Sequence, residues 1–253
     1  MPVVSQVYFV GAGPGDPELL TLKGARLLAE CRTVYAFSPF DESFADLLVG
    51  KELCNPYDYS FAGLLTQLQR QQQQGAVTFL VPGDLTFFSP FQALIEHLGE
   101  AAEVIPGVST VNAASALLKR TLNLSGKCSR TLIVSPRVLE EQPGSPSLEE
   151  LAAPGVTLVI YMNHLPLTEL VDRLRRGYGT NVAISLVHRL GFSGQEVLNG
   201  TLDDIVAQCG DRDFFAGSGG RRSGLTLVLV GDTLSAAVDH LWWDRRYQRQ
   251  QAQ

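Results

Sequence analysis

The chain has 253 residues, of which 45% are hydrophobic and 18% charged, so it can bury the core of one large or two modest α/β domains and shows no bias toward disorder. Its 20 Lys and Arg residues stand against 26 Asp and Glu residues, which gives a formal net charge of −6. This acidic balance disfavours nucleic acid and anionic membrane surfaces as partners.

The cysteines are scattered without the CxxC spacing of a zinc ribbon, an iron–sulfur cluster or a redox pair. We therefore expect reduced thiols and no metal site at Cys31, Cys54, Cys128 and Cys209. The start of the chain lacks a basic stretch followed by a long apolar run, and no apolar run reaches the roughly 18 residues of a membrane helix. The sequence thus predicts a soluble, cytoplasmic protein.

The first half of the chain alternates strands and helices. A short apolar run, residues 6–10, ends in the glycine-rich turn 11–17, which is typical of a buried strand entering a tight turn. A helix capped by Thr21 should follow. Further strands are predicted at 33–37, 76–81 and 103–105, and further helices at 61–74, 91–98 and 110–118. This alternation predicts a mostly parallel sheet covered on both faces.

A polar stretch between Lys119 and Arg130 marks the predicted domain boundary, so that 1–122 and 123–235 form two α/β domains and 236–253 a tail. The second series has strands at 131–135, 156–161, 181–187 and 225–230, helices at 165–176 and 202–209, and a hairpin or edge strand at 195–202. Three prolines predict a surface loop over 136–147. The tail from 241 either packs across a partner subunit or frays.

The glycine turn is compatible with a dinucleotide-binding site, because glycines let backbone amides approach a pyrophosphate. Two features argue against it. Asp16 directly follows Gly15 and would face the phosphate charge, and the second strand, ending in Phe37, offers no acid for a ribose hydroxyl. A close approach to a ligand other than a phosphate fits better, and Asp16 then caps a helix or orients a proton.

Several motifs follow one another in a recognisable order. The first is residues 7–24, VYFVGAGPGDPELLTLKG; it is followed by Pro82-Gly83-Asp84, Pro106-Gly107-Val108-Ser109, residues 157–162 (TLVIYM) and Gly200-Thr201-Leu202. This series resembles the tetrapyrrole (corrin/porphyrin) methyltransferases, which use S-adenosylmethionine, and the resemblance spans both domains.

The resemblance implies two α/β domains with S-adenosylmethionine in the cleft between them, the tetrapyrrole on the N-terminal side, and a homodimer. Carried over residue by residue, the predicted cofactor-binding residues are Pro14, Pro82, Gly83, Asp84, Phe87, Ser109, Thr110, Met162, Leu190 and Thr226. Each has a structural alternative, because a strand-end Asp or a Ser-Thr pair commonly caps a helix and a Met after a strand commonly lies in the core.

Two residues are candidates for accepting a proton during methyl transfer. Asp16 is the first, because it lies at the mouth of the glycine turn, and His188, near the end of an apolar strand, is the second. A hydrogen-bonded structural histidine is an equal alternative for His188.

The acetate and propionate groups of corrin and sirohaem precursors would need cations in the binding trough. The candidates are Lys119, Arg120, Arg137, Arg221 and Arg222. Ordinary surface solvation is the alternative for each of them.

The resemblance implies C-methylation of a reduced tetrapyrrole in cobalamin biosynthesis. The first candidate is an enzyme of the precorrin-4 type and the second is one of the precorrin-2 type. A uroporphyrinogen-III methyltransferase of sirohaem synthesis is an alternative. Leu85 and the sequence after it depart from the Gly-Asp-Pro continuation usual in the family. Because of that departure, a protein that binds these ligands without catalysing methyl transfer is a second possible class. A nicotinamide oxidoreductase is the third.

Overall fold

Five parallel strands form the first sheet of the computed structural model, which describes residues 6–216, 225–238 and 240–251. The strand order is β3-β2-β4-β1-β5. The strands are β1 Val7–Gly11, β2 Thr33–Tyr35, β3 Glu52–Cys54, β4 Val77–Val81 and β5 Ala102–Ile105. The predicted parallel sheet is therefore present, and β1 leads directly into the glycine turn.

Helices cover both faces of this sheet, as the alternation predicts. They are α1 Leu22–Glu30, α2 Phe40–Ser43, α3 Ala45–Leu48, α4 Phe61–Gln71, α5 Gln92–Leu98 and α6 Thr110–Leu118. Thr21 caps α1 as predicted, since its side chain accepts from the Gly24 amide at 3.1 Å. The segments α2, α3 and β3 are additions to the predicted series.

The two faces of β1 belong to different cores because successive strand side chains point to opposite sides. Val10 packs in a cluster with Leu28 of α1 and Phe40 of α2. Phe9 packs in another with Leu68 of α4 and Leu94 of α5. The chain thus leaves β1 toward one face and β4 toward the other. In open α/β sheets this reversal opens a crevice at the carboxyl ends of the two strands.

The second sheet is mixed, with strand order β6-β7-β10-β8-β9. Its strands are β6 Arg130–Val134, β7 Val156–Ile160, β8 Ala183–His188, β9 Glu196–Thr201 and β10 Thr226–Val230. β6 runs parallel to β7 and β10 antiparallel to it. β9 is an edge strand, which is one of the two predicted alternatives for its segment.

The remaining helices are α7 Pro136–Glu141, α8 Leu148–Leu151, α9 Leu167–Tyr178, α10 Ile205–Cys209 and α11 Leu241–Gln251. The predicted loop over 136–147 is wrong at its start, where Pro136 occupies the first turn of α7. Proline is tolerated there because the first amides of a helix have no intrahelical acceptor. No helix of the described segments is long and apolar enough to cross a membrane.

The chain divides into two compact units. The described residues of the first lie within Met1–Lys119, Val187–Val197 and Phe214–Leu227, and those of the second within Arg120–Leu186, Leu198–Asp213 and Val228–Gln253. The first unit thus includes two segments that the sequence assigns to the second domain. Consequently His188, Leu190 and Thr226 belong to the same unit as the glycine turn.

Candidate active site

Three loops meet at the carboxyl edge of the first sheet through their backbones. A Cβ on Gly11 would lie 2.6 Å from the Gly107 Cα and 2.9 Å from the Gly83 carbonyl oxygen, and one on Gly107 would overlap that same oxygen. Gly13 and Gly83 also pair, with the Gly83 amide donating to the Gly13 carbonyl at 2.7 Å and the reverse bond at 3.1 Å. Peptide groups therefore line this edge of the sheet, and no side chain fits between the loops at these contacts.

Asp84 ties two of these loops together. Its Oδ1 accepts from the amide and the hydroxyl of Thr86, at 2.8 and 2.6 Å, and its Oδ2 accepts from the Gly107 amide at 3.2 Å. The carboxylate thus holds the loop after β4 against the loop after β5. Oδ1 thereby uses both of its acceptor directions, whereas Oδ2 keeps one, at which a ligand hydroxyl or amine can still bind.

The other predicted cofactor-binding residues of these loops lie near Asp84 in the sequence or in space. Ser109 caps α6 by accepting from the Val111 amide at 3.3 Å, and the Thr110 hydroxyl would lie 3.3 Å from a Cβ on Gly83. Pro14 is buried and Pro82 half-buried. Phe87 is 55% exposed, so its ring is free to contact a ligand.

The glycine turn packs against the loop after β8. A Cβ on Gly15 would overlap the Phe192 ring, and a Cβ on Gly191 would lie 2.7 Å from the Asp16 amide nitrogen. Leu190, buried in this same loop, is thereby brought next to the turn. Asp16 itself accepts from the Glu18 amide at 2.9 Å and caps the short 3-10 helix Pro17–Leu19. The capping alternative for Asp16 is present, and a role in proton transfer stays a prediction.

His188 ends β8 in a hydrogen-bonded corner. Its Nδ1 lies 2.7 Å from the Thr226 Oγ1, whose hydroxyl donates to the Phe214 carbonyl, and the Phe214 ring packs edge-on at 5.8 Å. Burial, and after it the charge of Arg189, hold the pKa of the His188 imidazole below its usual range, while Glu196 and the Phe214 carbonyl act in the opposite sense. A neutral ring is therefore favoured.

Met162 lies in the second unit, two residues beyond β7. It has a φ of 47°, a left-handed conformation that is uncommon outside glycine and often found at functional sites. The following Asn163 is buried and exchanges two hydrogen bonds with the Leu165 backbone, which fixes this turn.

The predicted cations have different partners. Arg137 pairs with Glu141 of its own helix at 2.9 Å, and Arg120 donates to the Ala236 carbonyl at 2.9 Å. Lys119 ends α6 in a left-handed conformation. Arg221 and Arg222 lie outside the described residues. Neither Arg137 nor Arg120 has a wholly uncommitted guanidinium for a substrate carboxylate.

Sequence reasoning missed three residues that shape this site, Gly191, Phe192 and Phe214. Gly191 has a positive φ of 80°, and Arg189, two residues before it, also has a left-handed backbone conformation. Glycine and a strand end are visible in the sequence, but the contact with the glycine turn is not. Within the described segments, no group of three or more His, Cys, Asp or Glu residues could hold a metal ion.

Comparison with known families matches residues 6–206 to the Tetrapyrrole (Corrin/Porphyrin) Methylases. The chain belongs to this family, which confirms the resemblance drawn from its motifs.

Among curated relatives, a precorrin-4 C(11)-methyltransferase of Pseudomonas aeruginosa is 32% identical over 236 residues, 91% of each chain. A cobalt-precorrin-4 C(11)-methyltransferase of Methanocaldococcus jannaschii is 28% identical over 91% of this chain and 88% of its own. A siroheme synthase of a Psychrobacter species is 30% identical over 81% of this chain, which is 44% of that longer protein.

Solved structures confirm the predicted α/β fold. The structure of a cobalt precorrin-4 methyltransferase superposes with a TM-score of 0.75 at 20% identity, covering 91% of this chain and 96% of that one. A uroporphyrin-III C-methyltransferase of Thermus thermophilus, complexed with S-adenosyl homocysteine, gives a TM-score of 0.68 at 27% identity, covering 94% and 99%.

Proposed function

We propose that the protein is an S-adenosylmethionine-dependent C-methyltransferase that acts on a reduced tetrapyrrole of cobalamin biosynthesis, at the precorrin-4 step. The observation that carries the proposal is the meeting of three glycine loops at the carboxyl edge of β1, β4 and β5. The family supports methyl transfer, and the relatives named precorrin-4 methyltransferases support this substrate over uroporphyrinogen III.

The residues at this edge suit the methyl donor. Its amino-acid and adenosine groups need hydrogen-bond donors and acceptors, and they carry no phosphate. Peptide groups of the three loops, the spare acceptor direction of Asp84 Oδ2 and the exposed Phe87 ring provide these contacts. We assign donor binding in this unit to the predicted set Pro14, Pro82, Gly83, Asp84, Phe87, Ser109, Thr110 and Leu190. For Met162, in the second unit, donor binding stays a prediction from the resemblance.

The bound donor supplies an electrophilic methyl group on a sulfonium, whose positive charge vanishes on transfer. A neutral tetrapyrrole that gains a methyl group in this way gains a positive charge and must release one proton. Asp16 and His188 are the residues that we propose for accepting it. The remaining requirement for methyl transfer is a site that aligns the donor with the acceptor carbon and excludes water.

Calorimetric titration and a methyl-transfer assay test this proposal. We expect binding of S-adenosylmethionine and S-adenosylhomocysteine, no binding of NADH, and transfer to precorrin-4 in preference to precorrin-2 and uroporphyrinogen III. Transfer to uroporphyrinogen III alone would favour the sirohaem alternative, which the Psychrobacter relative supports. Donor binding without transfer to any of the three would favour the binding-protein alternative.

We further propose a cytoplasmic homodimer in which α11 docks on a second copy. Trp242 and Trp243 are 61% and 70% exposed, and an 11-residue helix is marginal without packing. Three arginines and one aspartate make α11 basic, which complements the acidic remainder of a chain of net charge −6. Light scattering should show a dimer that Trp242→Ala with Trp243→Ala converts to monomer, whereas a monomeric parent protein would contradict the proposal.

A further inference from the structure

The hydroxyl of Thr226 is already used inside the protein. It donates its single hydrogen to the Phe214 carbonyl, which can only accept. The same oxygen lies 2.7 Å from His188 Nδ1. With the hydroxyl hydrogen directed at Phe214, a close contact to an unprotonated Nδ1 would bring two lone pairs together. The contact is therefore a hydrogen bond from Nδ1–H to Thr226 Oγ1.

A neutral imidazole carries one proton, so a proton on Nδ1 leaves Nε2 with a free lone pair. We propose that Thr226 is a positioning residue that keeps the ring proton of His188 on Nδ1 and thereby makes Nε2 the basic nitrogen. This differs from the role implied by the family resemblance, in which Thr226 binds the methyl donor.

The surroundings of the ring support this assignment. Thr226 is almost completely buried, and the edge-on Phe214 ring restricts rotation of the imidazole. The charged groups acting on the ring are Arg189, which opposes protonation, and Glu196, which favours it. Because the proton on Nδ1 is already engaged, a proton taken up by the ring enters at Nε2 and leaves the bond to Thr226 intact.

The inference rests on the proposed function only in assigning the accepted proton to methyl transfer. There, Nε2 uses its lone pair to bind the one proton that the methylated tetrapyrrole releases, and His188 becomes an imidazolium. The tautomer itself belongs to the resting protein, so it can be tested without substrate.

Nitrogen-15 correlation spectra of the histidine rings in the resting protein at pH 8 provide that test. The spectrum of His188→Gln identifies the His188 signals among the four histidines. We expect protonation on Nδ1 in the wild type and in Thr226→Ser, and a shift toward protonation on Nε2 in Thr226→Val. The matched control is Thr157→Val, which removes another buried hydroxyl, bonded to the Leu122 carbonyl at 2.9 Å, and should leave the tautomer unchanged. A wild-type ring protonated on Nε2 would overturn the inference whether or not the variants fold.

Kinetics separate the positioning role from donor binding. Thr226→Val should lower kcat by about a hundredfold and move the acidic limb of its pH profile, with the KM for S-adenosylmethionine unchanged and with Thr226→Ser restoring both. A raised KM with an unaltered pH profile would return Thr226 to the donor-binding set. If no tetrapyrrole is methylated, the proposed function fails while the spectra still decide the tautomer.

Discussion

At the carboxyl edge of the first sheet, Gly11, Gly83 and Gly107 contact one another through backbone atoms, and we call this region the glycine edge. At the end of β8, the Thr226 hydroxyl and the Phe214 ring hold the imidazole of His188, and we call this region the His188 corner. Both arrangements belong to the first compact unit. The first depends on the absence of side chains, and the second on the chemistry of a single side chain.

This difference predicts how each region responds to substitution. Adding one carbon atom to the glycine edge forces backbone apart, so its effect is on folding. Exchanging Thr226 for valine nearly keeps its size and removes a hydroxyl. We expect some loss of stability, because the donor to the Phe214 carbonyl is lost, but the main effect is on the protonation of His188. A substitution that damages stability at the His188 corner as severely as at the glycine edge would break the contrast.

Gly107→Ala should have the largest effect. Its Cβ would overlap the Gly83 carbonyl and lie 2.7 Å from the Gly11 Cα, and neither atom can rotate away. We expect a loss of about 3 kcal/mol in the free energy of unfolding, measured by urea denaturation. Gly63→Ala is the control, because the nearest atoms to its Cβ are the Ser60 hydroxyl, at 3.2 Å, and the Tyr59 Cβ, at 3.9 Å, and no backbone atom. Equal stability of the two variants would show that the loops separate easily.

Asp84→Ala comes next. It removes three hydrogen bonds and leaves the Gly107 amide without its carboxylate acceptor, so we expect a loss of about 1–3 kcal/mol in stability and weaker binding of S-adenosylmethionine by calorimetry. Asp84→Asn can keep the bonds to Thr86 and should fall between alanine and wild type. Unchanged donor affinity in a folded Asp84→Ala protein would restrict the carboxylate to its structural role.

The glycine edge could be predicted from sequence because its signals are local. An apolar run ending in Gly11 indicates a strand entering a tight turn, and parallel strands bring such turns to one edge. Helix α7 is not predicted, because the three prolines of its segment indicate a loop, although the first turn of a helix accepts proline. Strand β3 is not predicted because it has only three residues, among them the exposed Leu53, and such a short segment shows no periodic pattern.

The His188 corner could be predicted only in part. Both His188 and Thr226 are candidate site residues in the sequence, but they lie 38 positions apart and only the folded sheet brings them together. Phe214 and Phe192 have no motif around them. The sequence also gives no sign that Gly191 packs on the Asp16 backbone, because that contact joins two loops distant in the chain.

The pH dependence of stability tests the surroundings of His188. Its pKa is lowered in the folded protein, chiefly by burial, so the unfolded chain binds this proton more readily. The contribution of the neutral His188 ring to the free energy of unfolding is complete above a pH of about 6.5, the usual histidine pKa. It is lost as the pH falls toward the lower pKa of His188 in the folded protein. We therefore expect the difference in unfolding free energy between pH 7.5 and 5.5 to be smaller in His188→Gln than in wild type. The control is His240→Gln, at the exposed position directly before α11, which should keep the wild-type difference.

The smallest effect on stability is expected in the loop after β4, where Phe87 and its neighbour Phe88 are 55% and 57% exposed. Alanine at either position should change the free energy of unfolding by less than about 0.5 kcal/mol, since exposed side chains contribute little to the core. Only Phe87 belongs to the proposed donor-binding set, so Phe87→Ala alone should weaken binding of S-adenosylmethionine in calorimetry. Equal weakening by Phe88→Ala would mean that the loop acts as one apolar surface. Weaker binding in either variant would show that exposed side chains, as well as the backbone, contribute to donor binding at the glycine edge.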